Sequence, residues 1–319
     1  MFLRSGFIRL SLIPIVSMLL LASSRAFAAG SDIPGWLAAH VGLGEGEIAP
    51  VVLQRARALY FKKKADGTVK NACYFAMDAT KAADMEGGKR FYVICEAEQS
   101  FRAIGSGHGS GRNLKSVANF SNGRSCVKNF GNALDSNLTT GGAYVTRETK
   151  TSFKGYYRIS AKEDAIFRRS FIQFEGEGDA ATARQREIGG HASALLKGMC
   201  LRKKPSSPYA DKDGFVPFGH LVDYSGGRSN GCTSWTPSDA RDIIPMLKDN
   251  PTTLYIYPES KDINAVAKKE SGTYWNAACL KQIGTPKYWS NSSLGPIIAQ
   301  WEASHPPAPE KPLPLCKGP

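Results

Sequence analysis

Apolar residues first fall at helical spacing between Ile48 and Lys64, where Ile48, Val51, Val52, Ala56 and Leu59 share one stripe. This predicts an amphipathic helix with Pro50 tolerated in its first turn and Gly67 just past its end. From there the pattern changes to short runs of β-branched and aromatic residues. Cys73–Asp78 and Arg90–Ala97 flank Asp84-Met85-Glu86-Gly87-Gly88, whose glycines permit a tight reversal, so a hairpin is predicted. Phe101–Ser106 adds a third strand before a Gly-, Ser- and Asn-rich loop over residues 107–113. Further strands are expected at Ala143–Thr146, Gly155–Ser160 and Ser170–Glu175. Thr236-Pro237-Ser238-Asp239 reads as a helix start, with threonine as cap and proline at the first helical position; Ile243, Ile244 and Leu247 follow on one face. Pro245 should kink or shorten that helix. Thr252–Tyr257 reads as a buried strand, Asp262–Lys269 as a short helix, and residues 306–319 as too proline-rich for regular structure. The sum is a mainly β, α+β chain with short helices.

The amino terminus is of a different kind. Arg4 and Arg9 precede an apolar run from Leu10 to Ala22, and Ala26-Phe27-Ala28 has the small-x-small form of a cleavage site, so residues 1–28 read as a secretory signal peptide. The run is shorter than the ~20 residues that span a bilayer, and no later segment reaches that length without charges. A periplasmic or secreted protein without an integral span after cleavage is expected, an uncleaved anchor being the lesser alternative. The remainder divides into an N-terminal helical segment, 29–70, a main domain, 71–262, and a C-terminal extension with a proline-rich tail, 263–319.

Charge and cysteine count narrow the chemistry. The net charge of +13 favours an acidic partner over long range, although three of the arginines lie in the leader. A cell-wall polymer fits; no array of interleaved aromatic and basic residues marks a nucleic-acid reader. Seven cysteines in an exported chain leave one unpaired. With Cys232 set aside, Cys73, Cys95, Cys126, Cys200, Cys279 and Cys316 can form three disulfides in any of about 15 arrangements. The absence of C-x-x-C and H-x-x-x-H spacings argues against structural zinc.

Cys232 sits in Gly226-Gly227-Arg228-Ser229-Asn230-Gly231-Cys232-Thr233-Ser234-Trp235, among small residues that can expose a thiol, just before a helix start. Gly231 would let the backbone come close to a substrate carbonyl, with amides of Gly231 and Cys232 as donors to an oxyanion. A nucleophilic thiol needs a base, for which histidine is suited. His191, in Glu187-Ile188-Gly189-Gly190-His191-Ala192, is preferred because cysteine and base commonly come from separate segments; His220, twelve residues before the cysteine, is the alternative.

Ser229-Asn230-Gly231-Cys232 resembles the Ser-x-Gly-Cys signature of the L,D-transpeptidase catalytic-domain family, in its variant murein branch. Thr139-Thr140-Gly141-Gly142-Ala143-Tyr144 resembles the family's Thr-Pro-x-Gly-x-Tyr/Phe segment. Gly107-His108-Gly109-Ser110-Gly111 and Phe120-Ser121-Asn122 resemble segments that precede it, and Gly190-His191 falls where the family has its catalytic histidine. The matches keep the family's order from about Cys73 to Glu259. The resemblance implies a β-sandwich or mixed-sheet catalytic domain and an acyl-enzyme formed by Cys232 on a peptidoglycan stem tetrapeptide. The acyl group then passes to an amine or to water. Ser229, Asn230, Arg228, Trp235 and Tyr144 are the implied substrate contacts. No metal or organic cofactor is required, and oligomeric state is left open.

Three departures qualify the likeness. Asn230 stands where the family has His or Trp. Ser234 stands where many members have an arginine two residues after the cysteine, leaving Arg228 as a substitute contact for a substrate carboxylate. The interval from His191 to Cys232 is long, as though it held an inserted lid. Another periplasmic cysteine peptidase or carboxypeptidase on murein peptides, or a catalytically silent wall-binding module, are the competing readings. Trp235 is as well suited to filling the core as to lining a groove, His108 reads as a structural imidazole, and Glu175 with Glu177 are too ordinary a turn pair to signal a glycosidase.

Overall fold

The computed structural model describes residues 33–83, 88–224, 228–307, 309 and 311–317. The expected leader, the turn residues Asp84 to Gly87, and Gly226-Gly227 lie outside the described residues. At the centre is a ten-stranded mixed sheet. Its strands run in the order Thr233–Trp235, Gly189–Ala192, Glu163–Glu177, Gly142–Ser160, Thr253–Tyr257, Cys73–Asp78, Lys89–Cys95 and Ser100–Gly105. The paired strands Ala194–Lys203 and Phe215–Asp223 join it through Tyr156 and Tyr157 of the long Gly142–Ser160 strand.

Side-chain alternation decides which layer each residue enters, because successive residues of a strand point to opposite faces. Phe75 and Met77, with Phe91 and Val93, face one core, which the helix Pro237–Leu247 covers through Ile243 and Leu247. Tyr74 and Ala76, with Tyr92 and Ile94, face the other, where the helix Pro50–Ala65 packs Val52, Leu53, Ala56 and Tyr60. The central strands are therefore buried on both faces, and Thr253–Tyr257 is apolar or enclosed at every position. Both helices start as the sequence predicts: each has proline in its first turn, and Thr236 Oγ1 accepts the Asp239 amide at 3.0 Å. Pro245 lies within the second helix, whose last residue is Leu247.

The structure departs from the predicted pattern at two of the expected strands. Ala143–Thr146 and Gly155–Ser160 are parts of one strand, Gly142–Ser160, paired along its length with Glu163–Glu177. The polar stretch between them stays extended because its backbone groups are satisfied by the partner strand, while its side chains are solvated. Helices face this mixed sheet, and the described chain is mixed α+β, mainly strands with short helices. Parts of the C-terminal extension pack on the rest of the chain. Lys287–Trp289 pairs in parallel with Asn129–Gly131, and the helix Asn291–Ser304 buries Leu294 and Ile298 against Leu114, Phe120 and Leu138.

Six cysteines form Cys73–Cys95, Cys126–Cys279 and Cys200–Cys316, and Cys232 is free. The first joins residues directly opposite in the sheet. The last pins the proline-rich tail, where Leu315 also bridges Leu201. Three disulfides fit a chain that folds in oxidising surroundings. Among the described residues no helix is long and apolar enough to cross a membrane. Among the described residues the one group of candidate metal ligands, Cys73, Cys95 and Glu98, has both sulfurs spent in a disulfide.

Asn122 holds together the loops beside the sheet. It is 3 % exposed; its amide donates to Gly109 O and Asn129 O at 3.0 and 2.9 Å. Its Oδ1 accepts the amides of Lys128 and Asn129 at 3.1 and 2.8 Å. Asn122→Ala leaves four backbone groups, three of them in buried bonds, to find other partners, which should cost roughly 2–4 kcal/mol. Urea denaturation of the two proteins measures it, and a midpoint within error of the parent would refute this assignment.

Candidate active site

The strand Gly189–Ala192 pairs in parallel with Thr233–Trp235, placing Gly190 beside Thr233, His191 beside Ser234 and Ala192 beside Trp235. Its other neighbour is Glu163–Glu177, with Gly190 opposite Ile172 and His191 opposite Phe171. One face of this three-strand segment is core. Trp235 is fully buried there, edge-on to Phe91, and a Cβ at Gly190 would overlap its indole. The opposite face carries Cys232, His191, Phe171, Gln173 and Arg169, which line one cleft of about 1310 Å³.

Cys232 immediately precedes its strand and is half-buried. Its thiol points to Glu187 O at 3.7 Å, and the Gly189 amide bonds the sulfur. Glu187 adopts a left-handed conformation, φ 52°, uncommon for a side chain of its kind. That bend turns its carbonyl toward the sulfur. His191 is 6 % exposed and stacks on Phe171 with ring centroids 6.2 Å apart. Its Nδ1 lies 2.8 Å from Ala192 O, a carbonyl that can only accept, so Nδ1 carries the proton and Nε2 has an open lone pair. Tyr224 Oη stands 3.5 Å from Nδ1.

Burial dominates the ionisation of both groups. It lowers the imidazole from 6.5 to about 4, helped by the Arg169 charge and opposed by the Ala192 carbonyl. It raises the Cys232 thiol, against the Gly189 amide and the charges of Arg169 and Arg186, which favour thiolate. At neutral pH the resting pair is a thiol and a neutral imidazole, so the proton must move as the sulfur attacks.

The remaining expected residues divide between cleft and core. Arg228, Ser229 and Asn230 line the cleft. Arg228 donates to Asn122 O at 2.8 Å. Trp235 and Tyr144 do not reach it: both are core residues, and the Tyr144 hydroxyl donates to Thr140 O at 2.7 Å. Strand alternation explains Trp235, since it lies three positions after Cys232 and so on the opposite face. Gly231 has φ +107°, a conformation glycine permits, and its amide already donates to Ser229 Oγ at 3.2 Å, so it is a weaker oxyanion donor than expected. His220 is exposed on the strand opposite Lys197 and is not a lining residue, which leaves His191 as the imidazole that shares a cleft with the thiol. Ser234 is 1 % exposed, too enclosed for an arginine. His108 is structural, accepting Arg90 Nη2 at 2.9 Å and donating to Gly123 O at 3.0 Å.

Sequence reasoning missed Arg169, Arg186, Gln173 and Tyr224. Nothing in their local pattern distinguishes them from surface residues; strand pairing brings Arg169 and Gln173 to the cleft of Cys232, and the adjoining turn and loop bring Arg186 and Tyr224. Arg186 donates to Gly131 O, Thr140 Oγ1, Ser136 Oγ and Leu138 O at 3.2, 2.6, 3.4 and 2.5 Å, so it also fastens the wall over residues 131–140.

Comparison with protein-family models, with curated proteins and with solved structures found no match to this chain.

The two buried imidazoles make stability depend on pH. His191 falls to about 4 and His108 to about 3, both from 6.5. A lowered pKa means that the unfolded chain takes up protons the native state refuses, so the contribution is complete above pH 6.5 and drains away as pH falls toward the native values. The urea midpoint should therefore drop between pH 6.5 and 5, above the main range of carboxylate titration. A midpoint that is constant or rising across that interval would contradict the buried neutral state.

Proposed function

We propose that this protein is a peptidoglycan L,D-transpeptidase that works through a Cys232 thioester. The observation that carries the reading is that the one free thiol and a neutral histidine with an open Nε2 share a single face of the sheet in a large cleft. The motif likeness around Ser229-Asn230-Gly231-Cys232 and Gly190-His191 supplies the substrate class, a murein stem tetrapeptide.

In the first half-reaction Cys232 Sγ attacks the acyl carbon while His191 Nε2 takes the thiol proton. The carbonyl π electrons move to oxygen. Collapse of the tetrahedral adduct restores the carbonyl and expels the terminal residue as an amine, which recovers the proton from His191. In the second half an acceptor amine attacks the thioester, gives its proton to His191, and releases the thiol as the new amide forms. Water in place of the amine gives a carboxypeptidase outcome by the same steps. Asn230, exposed and lining the cleft, would donate to the peptide backbone.

Incubation with disaccharide-tetrapeptide should release the terminal amino acid and give cross-linked dimers by mass spectrometry. Cys232→Ala should abolish turnover, and His191→Ala should lower kcat by roughly 10²–10⁴-fold. Full turnover by Cys232→Ala would sink the reading; cleavage within existing cross-links would replace it with an endopeptidase.

A further inference from the structure

The cleft is charged in a way that the nucleophile and base do not use. Its lining includes Arg124, Lys150, Arg169, Arg186, Lys197 and Arg228 against two carboxylates, Asp135 and Glu187. Among the described residues Lys150 alone of these six has a carboxylate within ion-pair distance, Glu148 at 3.3 Å. Elsewhere arginines of this protein are routinely paired, as in Arg55–Asp262, Arg57–Glu96 and Arg202–Asp164. A concave site with unpaired charge of one sign focuses its field on an incoming ligand of the other sign.

Arg169 is the best placed of the five. It lies two residues from Phe171 on the strand Glu163–Glu177, and so on the same face as the residues opposite His191. It is half-buried, and its hydrogen-bond partners are neutral: Nε donates to Ser152 Oγ at 2.9 Å, Nη1 reaches Ala194 O at 3.5 Å, and Tyr224 is the third. Five N–H groups on a planar guanidinium exceed these needs. Its charge acts on both Cys232 and His191. In the thioester reading His191 protonates the departing amine, and Arg169 lines the same cleft with its charge acting on His191, so the departing residue leaves under the field of that cation.

We propose that Arg169 receives the free carboxylate of the leaving residue, and so restricts the cleft to acyl donors cut at their carboxyl-terminal residue. This rests on the thioester reading of the cleft. A donor whose last residue is amidated, or continues into further chain, leaves the guanidinium facing a neutral group. Arg186, fixed by four neutral acceptors, adds to the field without having to contact that carboxylate.

The test uses the full chain and two independent probes. In the first, Cys232 is alkylated at low salt by iodoacetate or by neutral iodoacetamide, the ratio of rates being normalised to free cysteine. The parent should favour iodoacetate, Arg169→Gln should lose that preference by roughly tenfold or more, Arg169→Lys should keep part of it, and Lys248→Gln, on the exposed surface, should leave it unchanged. In the second, release of the terminal residue is followed for a tetrapeptide donor and for its carboxamide-terminated analogue. Arg169→Gln should raise KM for the free acid roughly ten- to hundredfold, with little effect on the amide.

No iodoacetate preference in the parent, or equal preference in a folded Arg169→Gln protein, would overturn the assignment. If neither peptide is turned over but the alkylation preference vanishes in Arg169→Gln, the transpeptidase reading fails while Arg169 stands as an anion receptor. If both peptides are turned over equally well by the parent, the carboxylate role fails while thioester chemistry stands.

Discussion

The parallel pairing of Gly189–Ala192 with Thr233–Trp235 is the constraint on which the candidate site depends. A strand has a period of two, so a slip of one residue would turn every side chain to the other face. Here the register is locked from the core side. The Trp235 indole fills the space over Gly190, where no larger residue fits, and both lie on the face shared with Ile172 and Phe174. Once Trp235 is buried, Cys232 and His191 must face outward together.

That outward face is a compromise between reactivity and enclosure. Burial works against charge on either partner, raising the thiol and lowering the imidazole, and the Gly189 amide with two arginines offsets part of the cost for the thiolate. The balance keeps both groups neutral at rest. Such a pair suits attack coupled to proton transfer, and it does not require a standing ion pair in a half-buried site. The same arginines give the cleft an excess of positive charge, so one set of residues bears on the ease of thiolate formation and on the kind of ligand that enters. The loops around the cleft are fixed by bonds to neutral acceptors, chiefly from Asn122 and from the Arg186 fan to residues 131–140, which leaves the cationic charge uncancelled.

Much of this was legible in advance wherever local pattern and tertiary environment agree. The two helices with proline in their first turn, the hairpin from Cys73 and the buried strand through Tyr257 follow from periodicity and caps. So does the odd thiol, because parity constrains the count even when it says nothing about partners. The polar middle of Gly142–Ser160 was not legible, since its extension is imposed by pairing with Glu163–Glu177 and not by its own residues. The integration of residues 263–319 was hidden for a similar reason: a three-residue strand and a helix acquire their places only against loops 114–138 and 129–131.

The sequence by itself determined the inventory: one cysteine beyond the pairs, a histidine among glycines, a cationic chain and the turn chemistry that breaks it into strands. Tertiary structure alone decided the assignments. It set His191 rather than His220 in the cleft that the thiol lines, put Trp235 and Tyr144 in the core, and drew Arg169 and Arg186 into the cleft. The physical reason is that these outcomes depend on register and on which face of the sheet is covered, and both are properties of strands meeting across long separations in the chain.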